Sequence, residues 1–201
     1  MYYFSNGQRW VWYRLNPKVF LDATILYSGT CRSLFIWLHT NNVVEIYWTQ
    51  EAWNEVFRNF SKKNEPDLSA KFKRSMQKNV INEFTECLIS LELFTPIGLK
   101  DKDDEHILAA AVQINAKYLL TNDEVLLKEN LPNSMKVILI KPDDFLVEIA
   151  LINSPQLVLD AVESHQNSLK TSRPDKTKYL ESLKKAGLVK FSRFINTYKL
   201  K

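Results

Sequence analysis

The 201 residues are 45% hydrophobic with only 4 Gly and 7 Pro, enough to bury a sizeable core and unlike a low-complexity or disordered chain. Two cysteines, Cys31 and Cys87, without a Cys-x-x-Cys pair exclude a disulfide framework and read as buried thiols in a reducing cytosol. The net charge of +4 is uneven: residues 170–201 hold ten Lys and Arg against Asp175 and Glu181, a net +8, which leaves residues 1–169 at −4 and suits either an anionic partner or a solvated helix face.

The first 17 residues form an N-terminal extension. It is aromatic but broken by Asn6, Gln8, Arg9 and Arg14, and it lacks a secretory apolar region and a small-residue cleavage site. No apolar run approaches the roughly 20 residues of a membrane helix. The expectation is a soluble, cytoplasmic protein with no membrane partner.

Lys18–Asp22 (KVFLD) reads as a buried strand with an acid at its C-terminal end. Leu34, Phe35, Trp37 and Leu38 are spaced for a helix, and VVEIYW (43–48) for a second strand. Thr49 then caps a helix through about residue 62, with Glu51 in its first turn. Pro66-Asp67 breaks a segment rich in Arg58, Lys62, Lys63, Lys71, Lys73, Arg74 and Lys78. Residues 80–95 are ambiguous. A helix starts at Asp103 or Asp104, with Ile107, Leu108, Ala111 and Ile114 on one side. KYLLT (117–121) and KVILIK (136–141) are the third and fourth strands.

After Pro142 the pattern is wholly helical. Ser154-Pro155 starts one helix, a break falls at Thr171–Pro174, and Gly187 closes the next helix. Strands alternating with helices predict an α/β domain with a parallel sheet covered on both faces, residues 18–141. An all-helical extension follows, residues 142–201.

Asp22 and Asp123 follow apolar strands, Asp104 opens the helix leading to the strand before Asp123, and Glu55 lies two turns into the helix after the second strand. Each alone reads as a cap or a solvated acid. Together they fall on one edge of a parallel sheet, where every strand C-terminus opens. Four carboxylates there repel strongly unless a cation neutralises them. Oxygen donors without thiolate or imidazole select Mg2+ or Mn2+, and a carboxylate-held divalent pair suits phosphodiester cleavage.

The order of these segments resembles PIN-domain nucleases, including the VapC-type toxins of toxin–antitoxin pairs. VFLDATIL resembles the strand with the family's first acid. WTQEAWNEVFRNF resembles the capped helix with its acid, LKDKDDEHILAAA the D-x-x-D-x-H-x-L-A-A-A signature, and YLLTND the last strand with its Thr-x-Asp. KPDDFLVEI and the helical tail resemble the C-terminal extension of a larger VapC-like subgroup. The likeness runs from residue 18 to about 195 and implies a three-layer α/β/α fold.

By that resemblance Asp22, Glu55, Asp104 and Asp123 are the catalytic and metal-holding acids, with Mg2+ or Mn2+ as cofactor. Asp101, Thr121 and Asn122 support them. Asp104 is preferred over Asp103 because its spacing to His106 and the Ala run fits the signature. His106 either orients a carboxylate or phosphate or is structural. The implied activity is an endoribonuclease, with RNA as substrate, an antitoxin protein as partner and a homodimer possible. Lys184, Lys185 and Lys190 are candidate RNA phosphate contacts.

Two other readings compete. Asp22-Ala23-Thr24 resembles the start of HAD-type phosphotransferases, but the acid those need two residues on is Thr24 here. A PIN fold without catalysis, serving as an RNA- or protein-binding module, is disfavoured by the presence of all four acids. Trp37, Trp48 and Trp53 are expected in the core, and Trp10 and Trp12 over a sheet edge or a partner.

Overall fold

Val19, Phe20 and Leu21 are all buried, as a strand covered on both faces requires. The computed structural model describes residues 16–92, 97–99, 101–132, 134–152, 155–169 and 174–197, with the backbone alone at Asp103. It places β1 (Lys18–Leu21) at the centre of a five-stranded sheet with β2 (Glu45–Thr49), β3 (Leu88–Ile89), β4 (Tyr118–Leu120) and β5 (Ile138–Ile140). The order is β3-β2-β1-β4-β5 and every pairing is parallel. Phe20 lies opposite Tyr47 on one side and Leu119 on the other.

The chain runs outward from β1 to β3, then returns to the other side of β1 for β4. The crevice between β1 and β4 is therefore the topological switch point, the place where open α/β sheets bind ligands. Asp22 continues the pairing past the strand end by donating its N–H to the Leu120 carbonyl at 3.1 Å.

Alternation along the strands separates two apolar clusters. Val19, Leu21, Ile46, Trp48 and Leu120 face α1 (Ala23–Tyr27), α2 (Gly29–Thr40) and α3 (Gln50–Ser61), together with α6 (Pro142–Ile152), α7 (Pro155–Ser168), α8 (Lys176–Lys185) and α9 (Val189–Thr197). Phe20 and Leu119 face Ile107, Leu108, Ala110 and Ala111 of α5 (Glu105–Gln113). This is the expected three-layer α/β/α arrangement. α4 (Pro66–Met76) buries no residue of its own and rests on α3 through the stacked rings of Phe60 and Phe72, 4.0 Å apart.

The described elements of residues 142–197 are all helices, as expected, and Gly187 takes φ +86° after α8. Phe145, Val158, Tyr179, Leu183, Phe191 and Ile195 join the same apolar cluster as β1 and β2, so the extension is continuous with the core of the sheet. Trp48 and Trp53 are fully buried and Trp37 partly so. Cys31 and Cys87 are buried and unpaired with each other.

The strand count needs correction. Four strands are legible, and the sheet has a fifth, β3, in the ambiguous stretch. Two residues are too few to display a period of two. The readings at Trp10, Trp12, Ser154 and Thr171 lie outside the described residues. Among the described residues no helix is long and apolar enough to cross a membrane.

Phe145 tests the continuity of the core. It is fully buried on α6, its ring 5.0 Å from Tyr118 of β4 and 6.1 Å from Phe35 of α2. Phe145→Ala should destabilise the whole chain by about 3–5 kcal/mol. Urea unfolding followed by far-ultraviolet and tryptophan signals should still show one transition. Two separated transitions would show that the extension folds on its own.

Candidate active site

Asp22 is the residue between β1 and α1, and its side chain is committed on both oxygens. Oδ1 accepts the Ala23 N–H at 2.5 Å, which caps α1. Oδ2 accepts two hydroxyl hydrogen bonds of 2.7 Å, one from Thr24 and one from Thr121 at the end of β4. Those hydroxyls in turn accept backbone N–H groups: Asn122 donates to Thr24 Oγ1 at 3.0 Å and Asp123 to Thr121 Oγ1 at 2.9 Å. Asp22 is only 4% exposed and Thr121 is fully buried. Two short chains of hydrogen bonds thus tie the end of β1 to the loop after β4.

The cap reading is also right for Asp123, whose Oδ1 accepts from Val125 and Leu126 at 2.6 and 3.0 Å. It fails for Asp104, which stands before α5 without capping it through its side chain. Glu55 is half-buried on α3 and accepts from Asn59 Nδ2 at 3.3 Å.

The electrostatics bring these residues together. Asp104 has its carboxyl pushed up to about 7, first by burial and then by Asp22, Asp101, Asp123 and Glu55. Glu55 is also raised, by burial and then by Asp22, while Arg58 and His106 oppose the rise. Asp104 therefore lies within electrostatic reach of Asp22, Asp101, Asp123 and Glu55, and Glu55 within reach of Asp22 and His106. The Asp103 side chain lies outside the described residues, as does any comparison of it with Asp104.

An all-carboxylate set of oxygen donors is chemically fitted to a hard divalent cation. The oxygens are not gathered as one shared ion would hold them. Among the described residues the donor trio with ligand atoms within 4.8 Å of one another is His39, Glu86 and Cys87, on other elements. Bringing three of the acids onto one ion calls for side-chain rotation; Glu55 and Asp104 are half-buried, Asp22 buried.

Two residues escaped the sequence reading. Thr24 bridges Asp22 to Asn122; its signal was a hydroxyl two positions after the acid, within the first turn of the helix. Glu105 is 7% exposed and accepts from Gly98 and Leu99 N–H at 2.9 and 3.2 Å, pinning the 97–99 loop beside the acids. Lys190, one of three predicted phosphate contacts, is engaged: its Nζ meets Asp144 at 2.5 Å, and Asp143 accepts its N–H and that of Phe191. Lys184 and Lys185 are exposed on the last turn of α8.

A family model described as PIN domain matches residues 18–124, the stretch that contains every one of these acids. No curated protein and no solved structure matches the chain.

The crowding of charge has a measurable sign. The folded Asp104 carboxyl holds its proton up to about pH 7, whereas an unfolded one releases it near 4. The folded state therefore binds the extra proton between those values, and stability falls as pH rises from about 4 to 7. Melting temperatures in chelator should show this decline, and Asp104→Asn should lessen it while melting higher than the wild type at pH 8. Parallel profiles for the two proteins would show that Asp104 carries no such strain.

Proposed function

From the membership of this chain in the PIN-domain family, a nuclease-type fold, we propose that it is a divalent-metal-dependent endoribonuclease and the toxin of a toxin–antitoxin pair. The observation that carries the nuclease reading is the carboxyl of Asp104, raised by burial and by the charges of Asp22, Asp101, Asp123 and Glu55 around it, at the C-terminal edge of the parallel sheet. Asp22, Asp104 and Asp123 would hold Mg2+ or Mn2+ with Glu55, and the ion would supply charge neutralisation and a more acidic water for phosphodiester hydrolysis.

The chain's own groups have defined tasks in that reading. Thr24 and Thr121 donate to Asp22 Oδ2, which fixes that carboxylate in direction. Asp123 is oriented by the two N–H groups it caps. His106 lies within electrostatic reach of Glu55, and its Nε2 is buried without a hydrogen-bond partner among the described residues. One turn beyond Glu55, Arg58, Lys62 and Lys73 line a groove of about 570 Å3 with Phe57 and Asn54. Such a groove supplies positive charge for a strand of RNA that the acidic centre alone would repel.

The toxin reading rests on the resemblance to the larger VapC-like subgroup and on the exposed basic tail. A cognate antitoxin is the partner it implies. The rival, a binding module without catalysis, draws on the fact that no three of these described acids bring carboxylate oxygens within 4.8 Å of one another. Uptake of Mn2+ by the acids separates the two.

Asp22→Asn is the direct test. Asn caps a helix as well as Asp does, so circular dichroism should be unchanged, while RNA cleavage in Mn2+ should fall at least about 100-fold. Undiminished cleavage, with contaminating nuclease excluded, would refute the mechanism. For the tail, Lys184→Glu with Lys185→Glu should weaken RNA binding and flatten its salt dependence by up to about 1.4 log units per decade, 0.7 for each lost contact. If affinity and slope both persist while binding of the antitoxin is lost, the tail is a protein-docking element.

A further inference from the structure

The chain holds a second group of donors with a different chemistry. His39 ends α2, while Glu86 and Cys87 lie in the single helical turn Thr85–Cys87 that leads into β3. His39 Nε2 stands 3.6 Å from Cys87 Sγ and 3.7 Å from Glu86 Oε1. One atom from each residue lies within 4.8 Å of the other two. We propose that His39, Glu86 and Cys87 form a binding site for Zn2+ or a similarly soft divalent cation.

The spacing is the argument. With zinc–sulfur and zinc–nitrogen bonds of about 2.3 and 2.05 Å at a tetrahedral angle, the two ligand atoms sit about 3.6 Å apart; a nitrogen and an oxygen ligand sit about 3.4 Å apart. The observed 3.6 and 3.7 Å need little movement to reach those edges. The imidazole is steadied by the edge of the Phe84 ring, 6.2 Å between centroids. Cys87 is buried, His39 is 21% exposed and Glu86 61%, so the site is anchored inside and open to water on its Glu86 side. Three protein ligands and a water complete four-coordination.

The donor set decides the ion. A thiolate and an imidazole select zinc over Mg2+ and Mn2+, so this trio does not compete for the cation of the carboxylate edge. The second ring nitrogen of His39 is buried without a protein partner. Lacking that outer hydrogen bond, the site should bind roughly 10–100-fold more weakly than a fully supported one.

An ion here would fasten the two-residue edge strand β3 to α2. β3 pairs with Trp48 and Thr49 of β2, and Thr49 caps the helix that bears Glu55. The bound cation would thus stiffen the flank of the acidic edge without entering it.

Titration of the full-length protein with Co2+ tests the site directly. Sulfur ligation gives a thiolate-to-cobalt charge-transfer absorption in the near ultraviolet, which oxygen ligands cannot produce. One equivalent of Co2+ should develop this band, and one equivalent of Zn2+ should abolish it. Cys87→Ser should lose the band, Cys31→Ser and Asp104→Asn should keep it, and His39→Gln should weaken Co2+ affinity at least 10-fold. Glu86→Gln, at an exposed position, covers the case in which a core variant fails to fold: it too should weaken affinity at least 10-fold with unchanged circular dichroism. Absence of the band in the wild type, its survival in Cys87→Ser, or unchanged affinity in Glu86→Gln would overturn the proposal.

Discussion

Asp22 Oδ2 receives a hydroxyl hydrogen bond from each side of the β1/β4 crevice, from Thr24 and from Thr121, both at 2.7 Å. This pair of bonds holds the acidic edge together. Asp22 is 4% exposed, and a buried carboxylate oxygen left without donors would be costly. The same hydroxyls accept the N–H groups of Asn122 and Asp123. The loop that presents Asp123 is consequently set by the carboxylate it faces.

The sheet makes the arrangement possible. Parallel pairing sends all strand C-termini to one edge, and the reversal of strand order at β1 leaves a crevice beside Asp22. The rigidity comes from the two apolar clusters on either side of the sheet. The like-charged edge opposes folding, and close packing of Trp48, Trp53, Phe35 and Phe145 outweighs it. A cation bound to the acids would relieve the strain that Asp104 shows, so fold stability and metal binding are linked through one group.

The helical tail is part of the same economy. α6 to α9 cover the face of the sheet opposite α5, and Asp143 ties the start of α9 to the start of α6. His165 and Tyr179 bond at 2.8 Å inside this layer, with burial holding His165 down at about 4 and therefore neutral. The tail's charge is thus carried on helices whose inner faces are committed to the core.

Much of this was legible from residue order. Apolar runs ending at Asp22 and before Asp123, the Thr49 cap, the Ala-rich helix after Asp104 and the helical pattern beyond Pro142 follow from local periodicity and capping chemistry, which neighbouring residues determine. That is why four strands and most of the long helices were legible in residue order. β3 was not, because two residues carry no period. Nor were the roles of Thr24, Glu105 and Lys190. Each depends on a partner distant in sequence or across a loop: Asn122, the 97–99 backbone, Asp144. The raised carboxyl of Asp104 and the meeting of His39 with Glu86 and Cys87 are likewise properties of distance in space. Hydrogen bonds and Coulomb interactions act over a few ångströms whatever the separation along the chain. Sequence determined which residues bear the chemistry and which elements carry them; only the parallel closure of the sheet decided which of them meet.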